Sequence, residues 1–325
     1  MAHELSIRSD NFVEMAFVGD RSQVWHGLGQ QLNESSTIED WKTQAGMDWS
    51  IIETPVTYMG IDGQMHPMND KKVLYRSDTN APLSVVGSDY KTIQPGEVLE
   101  FFRDIVAGTG MYLETAGCLF GGKRFWALAN TTKSAYVGKK EDTMRGYLML
   151  ATSADGTLAT VAQFQSVRTV CNNTLRIALQ ENTSNRVRVT HRSDFDAEMV
   201  KRKMGLIDEA WVNFLENMND LASKKISDAG AKAFIDSLIL TKPDDVENSS
   251  MQSKNQADLI MRLYKGDGMG ADAAYGNMWG LTQAFTEYVD HHSRNRSADQ
   301  RLWNQFFGPG DKLKQDAVKG LLEMV

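Results

Sequence analysis

The sequence predicts an α+β protein: an antiparallel β-meander flanked by helices, with a β-rich N-terminal part and a helical C-terminal part. Strand-like segments separated by turn residues fill much of the first half of the chain. A clear helix, 95–107, precedes the meander, and helical periodicity dominates after Asp194. These changes divide the chain into an N-terminal region 1–90, a central core 91–193 and a C-terminal helical region 194–325.

The N-terminal region mixes short extended segments with turns. The segment TPVTYMGIDGQMHP predicts a β-hairpin with Asp62-Gly63 at its tip, because this dipeptide favours a two-residue turn. KKVLYRSD and APLSVVGSDYKTI predict two further strands. Before the hairpin, SSTIEDWKTQAGM predicts a short helix that is capped by Ser36 or Thr37.

The central core begins with the helix PGEVLEFFRDIVAG. Pro95 suits the first helical position, where its missing N–H costs nothing, and Gly108 is expected to end the helix. Two hairpins follow, with turns at Gly-Gly 121–122 and Asp-Gly 155–156. Two hairpins in succession predict an antiparallel meander.

Helical patterns continue after the meander. The segment NTLRIALQE predicts a helix over 172–181, with Asn172 and Asn173 as its capping residues. Beyond Asp194, apolar residues recur with helical spacing. The predicted helices of the C-terminal region span residues 196–222, 228–240, 254–264, 277–292 and 311–324.

The composition is that of a globular protein in a reducing compartment. The two cysteines, Cys118 and Cys171, are too few for a disulfide framework or a cysteine-built zinc site. The chain has no apolar run of about 18 residues that would predict a membrane span. Its first residues, MAHELSIRSDNF, carry charges where a signal peptide needs an apolar core. We therefore expect a cytoplasmic protein with no membrane partner.

The net charge of −7 hides an asymmetry along the chain. Residues 121–203 contain 14 Lys and Arg against 7 Asp and Glu, a net charge of +7. The rest of the chain contains 21 basic against 35 acidic residues, a net charge of −14. A basic middle flanked by acidic segments either marks an anionic partner or reflects an uneven distribution of charge without function.

A phosphate-loop pattern in GCLFGGKR does not predict nucleotide binding. Gly117, Gly122 and Lys123 have the required spacing. Arg124, however, stands where a Ser or Thr should hold magnesium, and the surroundings read strand–turn–strand, so no helix N-terminus faces a phosphate. ATP or GTP binding is therefore disfavoured.

Two further motifs fall short of a catalytic or metal site. Cys171 lies at a predicted strand–helix junction, but no nearby His or acidic residue would activate it. Asp290, His291 and His292 form the densest metal-capable cluster, but adjacent helical residues point about 100° apart and do not converge on one ion. We expect no catalytic residue, no cofactor and no metal, and therefore a protein that is not an enzyme.

The remaining chemical feature is a set of basic residues on and around the meander. Strict alternation puts Arg124 and Trp126 on one face of a strand, and Phe164 shares a face with Arg168. Cations neutralise phosphates, and aromatic rings stack bases at about 1–3 kcal/mol each, which suits single-stranded nucleic acid. Alternatively, the two aromatic residues are core and the cations a solvated rim. The candidate nucleic-acid-binding residues are Lys123, Arg124, Trp126, Lys133, Lys139, Lys140, Arg145, Phe164, Arg168, Arg176, Arg186 and Arg188.

Two of these residues flank the predicted strand–helix junction. Arg168 precedes it and Arg176 follows it. Together with the N–H groups at the start of the predicted helix, they form a hypothetical phosphate-binding position. Replacing both by alanine would then leave the fold intact and lower the affinity for DNA.

Four segments of the chain resemble one family. They are WHGLGQQL (25–32), QFQSVRTVCNNTLRIAL, AYGNMWGLTQAFTEYVDHH (274–292) and FFGPGDKLKQDAVKGLLE (306–323). In this order they resemble the phage/plasmid-like family, domain of unknown function 932. The resemblance implies an origin in a mobile element, and it supplies no catalytic residues.

The order of elements resembles a second group. A helix, an antiparallel meander and another helix are similar to the core of the single-strand annealing proteins of the Red-beta, RecT and Erf type. This resemblance implies side-by-side assembly into rings or filaments, with a basic groove that holds one DNA strand and works without ATP. It rests on the order of elements alone.

Three functions follow from these patterns. The first is single-stranded DNA binding and annealing in phage or plasmid recombination by a homo-oligomer, with a phage exonuclease or a single-strand-binding protein as a further partner. The alternative is a structural or protein-interaction component of a mobile element that does not bind DNA. The third is a nucleic-acid-processing enzyme with a site around Asp290, His291 and His292.

Overall fold

The structure is a computed structural model that describes residues 11–19, 29–138, 142–168, 173–176, 186–191, 207–240 and 249–325. Strands lie mainly in the N-terminal half and helices in the C-terminal half, which confirms the predicted α+β class. The chain divides into two compact units. Of the described residues, unit 1 contains 11–19, 29–132, 147–164 and 186–191. Unit 2 contains 133–138, 142–146, 165–168, 173–176, 207–240 and 249–325.

The described strands form two sheets. The strands are β1 (Met15–Val18), β2 (Gln30–Leu32), β3 (Ile51–Met59), β4 (Met65–Arg76), β5 (Pro82–Gly87), β6 (Tyr112–Leu119), β7 (Arg124–Tyr136), β8 (Thr143–Ser153), β9 (Thr160–Arg168), β10 (Asn173–Arg176) and β11 (Arg186–Val189). The larger, mixed sheet has the order β10-β9-β8-β7-β6-β1-β2, and β11 also pairs with β9. Its consecutive neighbours β6 to β9 are the predicted meander. The smaller sheet has the order β3-β4-β5.

The described helices lie before and after the meander. They are α1 (Ile38–Gln44), α2 (Pro95–Thr109), α3 (Ile207–Ser223), α4 (Asp228–Ile239), α5 (Met251–Arg262), α6 (Ala271–Ala274), α7 (Met278–Glu287), α8 (Ala298–Phe306) and α9 (Pro309–Leu322). Two π-helical turns, Leu263–Asp267 and Tyr288–His292, continue α5 and α7. The five helices predicted for the C-terminal region agree with these bounds to within a few residues, except that 196–206 lies outside the described residues, whereas α6 and α8 were not predicted.

The helix predicted directly after the meander is wrong where it is described. Residues Asn173–Arg176 form strand β10, antiparallel to β9, with Asn173 opposite Arg168 and Arg176 opposite Gln165. Asn173 therefore lies in a strand and does not cap a helix. The open edge of β9 supplies hydrogen-bond partners that a local sequence pattern does not reveal, and this pairing overrides helix propensity. Asn172 and 177–181 lie outside the described residues.

Local capping signals position the first two helices as predicted. Thr37 caps α1: its hydroxyl accepts from the N–H of Asp40, and the Asp40 carboxylate accepts from the N–H of Thr37 at 2.8 Å. Helix α2 begins at Pro95 and continues past the predicted end. Its C-cap is Gly110, whose φ of 74° requires the left-handed conformation that glycine adopts without strain.

The hairpin β3–β4 is confirmed, but its turn is longer than the predicted two residues. Met59 pairs with Met65, so residues 60–64 form the loop. The N–H of Gly60 donates to the carbonyl of Gln64 at 2.8 Å, and that of Gly63 donates to the carbonyl of Gly60 at 3.0 Å. These two bonds close a wider loop than the Asp-Gly dipeptide alone indicates.

Each unit has its own apolar core. In unit 1, buried side chains of α2 and the large sheet include Phe102 and Phe125, and Trp49 contacts the Phe125 ring edge-on at 6.2 Å between centroids. In unit 2, the core is helical and includes Trp279 and Phe285. Among the described residues, none of the helices combines the length and the apolar character needed to cross a membrane.

Helices α1 and α2 are joined by ion pairs around Glu100. Its carboxylate accepts from Arg103 Nε at 2.6 Å and also pairs with Lys42 of α1. The hydrogen bond from Arg103, assisted by Lys42, lowers the pKa of Glu100 from 4.5 to about 2. The lowered pKa means that the ionised carboxylate stabilises the fold above pH 4.5, and that this contribution is lost as the pH falls toward 2.

We expect Glu100→Gln to lower the free energy of unfolding at pH 7 by about 0.5–1 kcal/mol, since partly exposed ion pairs contribute little. The difference from the wild type should shrink as the pH falls from 4.5 toward 2. Urea unfolding at several pH values measures it. Glu323→Gln is the control, because that exposed carboxylate lies 3.8 Å from Lys319. If the stability difference between Glu100→Gln and the wild type persisted unchanged at low pH, the ionised Glu100 carboxylate would not be its source.

Candidate nucleic-acid interface

The two aromatic residues predicted to stack bases lie in the protein interior. Trp126 is 3% exposed and Phe164 is 2% exposed. Side chains alternate between the two faces as predicted, but burial does not alternate: in the middle of the meander, successive residues of β7, β8 and β9 are nearly all buried. No base can reach either ring. The alternative interpretation, that these residues belong to the core, is the one that the structure supports.

Arg168 is also buried, with 1% of its surface exposed, and its guanidinium is fully engaged inside unit 2. It donates to both carboxylate oxygens of Asp142, with 2.8 Å between Nη2 and Oδ2. It also donates to the carbonyls of Met269 and Gly270, and Trp279 Nε1 donates to Asp142 at 2.8 Å. The predicted phosphate position at Arg168 and Arg176 is therefore wrong: Arg168 is enclosed, and β10 replaces the helix start.

The predicted cations of unit 1 lie at two places. Lys123 and Arg124 lie where β7 begins, and both are half-buried. Arg124 donates to the Thr157 hydroxyl at 2.9 Å, and its guanidinium lies 4.6 Å from the centre of the Phe120 ring. Arg186 and Arg188 lie on β11. Arg188 is exposed, whereas the side chain of Arg186 is not among those that the structure describes.

Arg188 lines an open cleft of about 1350 Å³ in unit 1. The stacked rings of Tyr90 and His191, with centroids 4.5 Å apart, form part of its wall. The charged residues that line it are Lys72, Lys91, Arg188, Glu53, Asp70 and Asp89. Among the described lining residues, cations and carboxylates are equal in number, so this part of the wall has no excess of positive charge to attract a phosphate backbone.

Four of the predicted cations belong to the outer end of the β7–β8 hairpin, which lies in unit 2. We call residues 133–145 the basic hairpin end. Lys133 is half-buried on β7 and Arg145 is exposed on β8, while Lys139 and Lys140 belong to the connecting segment, outside the described residues. The hairpin end is therefore the part of the chain where predicted cations gather on one element.

An aromatic residue that the sequence reasoning missed lies on this hairpin end. Tyr136 is 58% exposed, in contrast to the buried aromatic residues of the inner meander. Thr132, with a φ of 61°, marks the point where β7 passes from continuous burial to exposure. Tyr136 lies between Lys133 and Lys139 in KSAYVGKK, so the signal was available as an aromatic residue within a run of cations.

Hydrogen bonds hold the hairpin end in place. The N–H of Val137 donates to the carbonyl of Asp142 at 2.9 Å, which pairs the two strands close to the turn. The N–H of Gly138 donates to the side chain of Asn219 on α3 at 3.1 Å. Because Asp142 is itself fixed by Arg168, the buried ion pair positions the base of the exposed basic segment.

The rejected motifs have structural roles. Phe120–Gly122 is a short helical turn between β6 and β7, so the phosphate-loop pattern lies in a hairpin as expected. Gly122 has a φ of 89°, and a Cβ there would lie 2.7 Å from the Trp49 ring, so glycine is needed for packing. Cys118 is buried, with its sulfur 3.4 Å from the carbonyl of Gly46. Cys171 lies outside the described residues.

The Asp290-His291-His292 segment forms ion pairs within the protein. Asp290 is buried and pairs with the buried Lys314 at 2.9 Å. His292 Nε2 lies 3.6 Å from a carboxylate oxygen of Glu287, which also accepts from the N–H of Met269. In the described part of the chain, no three His, Cys, Asp or Glu side chains are grouped so as to hold a metal ion. Lys314 already neutralises Asp290, the acidic residue of this segment.

The geometry defines an α+β protein with a β-meander whose outer hairpin end is basic. The family model described as Domain of unknown function (DUF932) matches residues 82–305, more than half of the chain. The chain therefore belongs to this family, which confirms the family part of the sequence resemblance. No curated protein and no solved structure matches it.

Proposed function

We propose that this protein binds and anneals single-stranded DNA as a homo-oligomer, without ATP, in phage or plasmid recombination. The observation that carries the proposal is the basic hairpin end, on which Tyr136 and Arg145 are exposed and Lys133 is half-buried. Cations supply the sequence-independent attraction to phosphates, and an exposed ring supplies a surface on which any base can stack.

A two-stranded hairpin suits an annealing role because it contacts one side of a strand. Phosphate contacts fix the position of the strand and carry no sequence information, so the base edges stay available for pairing. Helix α2 followed by the meander is the part of the annealing-protein order that the structure keeps, since β10 replaces the start of the helix predicted after it. This part, together with the sequence resemblance to phage and plasmid proteins, supports the same role. The proposal includes no catalytic step. A phage exonuclease that produces single strands, or a single-strand-binding protein, would be its functional partner.

Replacing Tyr136 by alanine should weaken binding of a labelled oligothymidylate about 5- to 150-fold, because stacking on one ring contributes about 1–3 kcal/mol. Tyr136→Phe keeps the ring and should bind like the wild type. Tyr275→Ala, which removes another exposed tyrosine of unit 2, is the control for surface changes. Fluorescence anisotropy at fixed salt measures the affinities. If Tyr136→Ala binds as tightly as the wild type, stacking on this hairpin is excluded.

A separate prediction concerns the cations of the basic hairpin end. Lys133→Gln combined with Arg145→Gln should reduce the slope of log K against log salt by about 0.7 for each phosphate that the protein no longer neutralises. The control, Lys312→Gln with Lys319→Gln, removes the same charge from exposed positions on α9. An equal effect of both pairs would indicate only long-range attraction, and wild-type protein without affinity for the oligonucleotide would refute DNA binding altogether.

The alternative, a protein-interaction component that does not bind DNA, is favoured by a different observation. The tip of the β3–β4 hairpin carries several exposed apolar side chains, among them Met59 and Ile61. Such clusters on a protein surface usually mark contacts with other proteins. Loss of assembly without loss of DNA affinity, in variants of this tip, separates the two functions.

A further inference from the structure

The outer part of the β3–β4 hairpin carries several exposed apolar side chains, and nothing in the described part of the chain covers them. We call residues 56–68 the β-arm. Ile61 at its tip is fully exposed, and Met59 is 68% exposed. The other exposed apolar residues of the β-arm are Tyr58, Met65 and Met68. Burying such side chains contributes about 25 cal/mol for each Å² removed from water, so an uncovered group of this kind indicates a contact surface.

The edge of the β-arm is poorly suited to pairing with another strand. Strand β5 pairs with β4 only from Lys71 to Tyr75, so the outer half of β4 has an open edge. The bond from Gly60 to Gln64 sets the alternation of hydrogen-bonded pairs, which directs the backbone nitrogen of Pro67, opposite Thr57, outward. Proline has no N–H to offer there. Contact through the side chains of the tip is therefore favoured over strand addition.

The charge at the tip restricts the partner. Asp62 lies next to Ile61, and the N–H of Gln64 and the ring of His66 both contact its carboxylate at 3.0 Å. These contacts lower the pKa of Asp62, so the tip remains negative at neutral pH. A negative tip is repelled by nucleic acid and by anionic lipid surfaces. The partner is therefore a protein surface that combines an apolar recess with a cation.

Unit 2 contains a surface with these properties. We call it the C-terminal groove: a cavity of about 550 Å³ between α5, the π-helical turn after α7 and the start of α9. Its accessible apolar residues include Leu259, Tyr288 and Leu313, and amide side chains such as Asn255 and Gln256 line the rest. Its cation is Arg294, and none of the described residues that line it is a carboxylate. The π-helical turn supplies Val289 and His292, and such turns occur frequently at functional sites.

We propose that the tip of the β-arm of one copy inserts into the C-terminal groove of a second copy. Ile61 would pack against Leu313 and its apolar neighbours, and Asp62 would face Arg294. The contact joins two different surfaces, so it propagates from copy to copy and generates rings or filaments. This inference gives a structural basis for the oligomer in the proposed function, and it rests on that part alone, because neither surface includes the basic hairpin end.

Mixing two variants tests the contact. Ile61→Asp disables the β-arm and leaves the groove intact, whereas Arg294→Asp disables the groove and leaves the β-arm intact. Each variant alone should be monomeric, with a dissociation constant at least tenfold above that of the wild type. An equimolar mixture should form 1:1 dimers and nothing larger, because only one intact arm and one intact groove can meet. Sedimentation velocity of the full-length proteins without DNA distinguishes these species.

Two controls and a charge exchange complete the test. Val85→Asp and Arg296→Asp make the same changes at exposed positions outside both surfaces and should assemble like the wild type. Asp62→Arg combined with Arg294→Asp should recover at least part of the assembly that each substitution loses. Thermal unfolding checks that the variants fold, as expected for substitutions at exposed positions.

Three results would overturn the contact: monomeric wild type throughout the concentration range, assembly of either variant as tightly as the wild type, or a mixture without dimers. Anisotropy with labelled oligothymidylate tests DNA binding separately on the same proteins. If the variants keep their DNA affinity but their mixture forms no dimers, only the arm–groove contact is rejected. Successful complementation with no DNA affinity rejects only the DNA-binding part of the proposed function.

Discussion

Arg168→Ala should lower the free energy of unfolding by about 3–5 kcal/mol, the cost of removing one partner from a buried ion pair. The substitution leaves Asp142 enclosed, with Trp279 Nε1 as its remaining side-chain donor. It also removes the hydrogen bonds to the carbonyls of Met269 and Gly270. Urea unfolding monitored by far-UV circular dichroism measures the change, and an unaltered m-value confirms that the comparison is valid.

Two further variants separate the charge effect from loss of packing. Arg168→Met with Asp142→Asn removes both charges and keeps an acceptor for Trp279, so it should recover part of the lost stability. Arg145→Ala removes an exposed cation on the neighbouring strand and should change the free energy of unfolding by about 0.5 kcal/mol or less. If Arg168→Ala cost no more than Arg145→Ala, Arg168 would not be the buried anchor that the geometry indicates.

Local signals predicted the elements whose structure depends on neighbouring residues. Thr37 and Asp40 cap α1 because the two side chains need only each other's backbone N–H groups. Pro95 begins α2 for an equally local reason. The meander also follows from alternation and turn chemistry within each hairpin. These contacts are all close in sequence, so one chain without relatives suffices to find them.

Long-range pairing explains what the sequence reasoning missed. The partner of Arg168 is Asp142, 26 residues earlier, and the bonds that Arg168 donates to the carbonyls of Met269 and Gly270 span about 100 residues. Nothing in QSVRTVCNN reveals these partners, so the local sequence does not distinguish a buried arginine from an exposed one. Strand β10 was missed for the same reason, because the edge of β9 decides its conformation.

The candidate site changed because the burial of each cation, which the sequence does not show, decides whether a ligand can reach it. Alternation along β7 correctly puts Arg124 and Trp126 on one face but cannot show that both faces of the middle of the strand are covered. Only beyond Thr132 does β7 carry exposed side chains, and there Tyr136 replaces Trp126 as the accessible aromatic residue. Of the cations that the structure describes in the basic middle of the chain, Arg168 is buried, Lys123, Arg124 and Lys133 are half-buried, and Arg145 and Arg188 are exposed.

Arg76→Met should be as costly as the change at Arg168, about 3–5 kcal/mol, because it leaves buried Glu14 without its cation. The guanidinium of Arg76 donates twice to Glu14, with 2.6 Å between Nη2 and Oε1, and also donates to Asp78. It lies 4.1 Å from the centre of the Trp49 ring, so the substitution also removes a cation–π contact inside unit 1.

The loss of stability in Arg76→Met should depend on pH, because Arg76 also forms an ion pair with Asp78. The hydrogen bond from Arg76 lowers the pKa of Asp78 from 3.8, so its stabilising effect is present above that value and is lost at lower pH. The gap between wild type and Arg76→Met should therefore narrow when urea unfolding is repeated at pH 3. Arg103→Met is the matched control: the exposed Arg103 bridges Glu39 and Glu100, and because exposed ion pairs contribute little, this substitution should cost far less than Arg76→Met. Equal losses in the two variants would show that burial of the Arg76 cluster does not set its contribution.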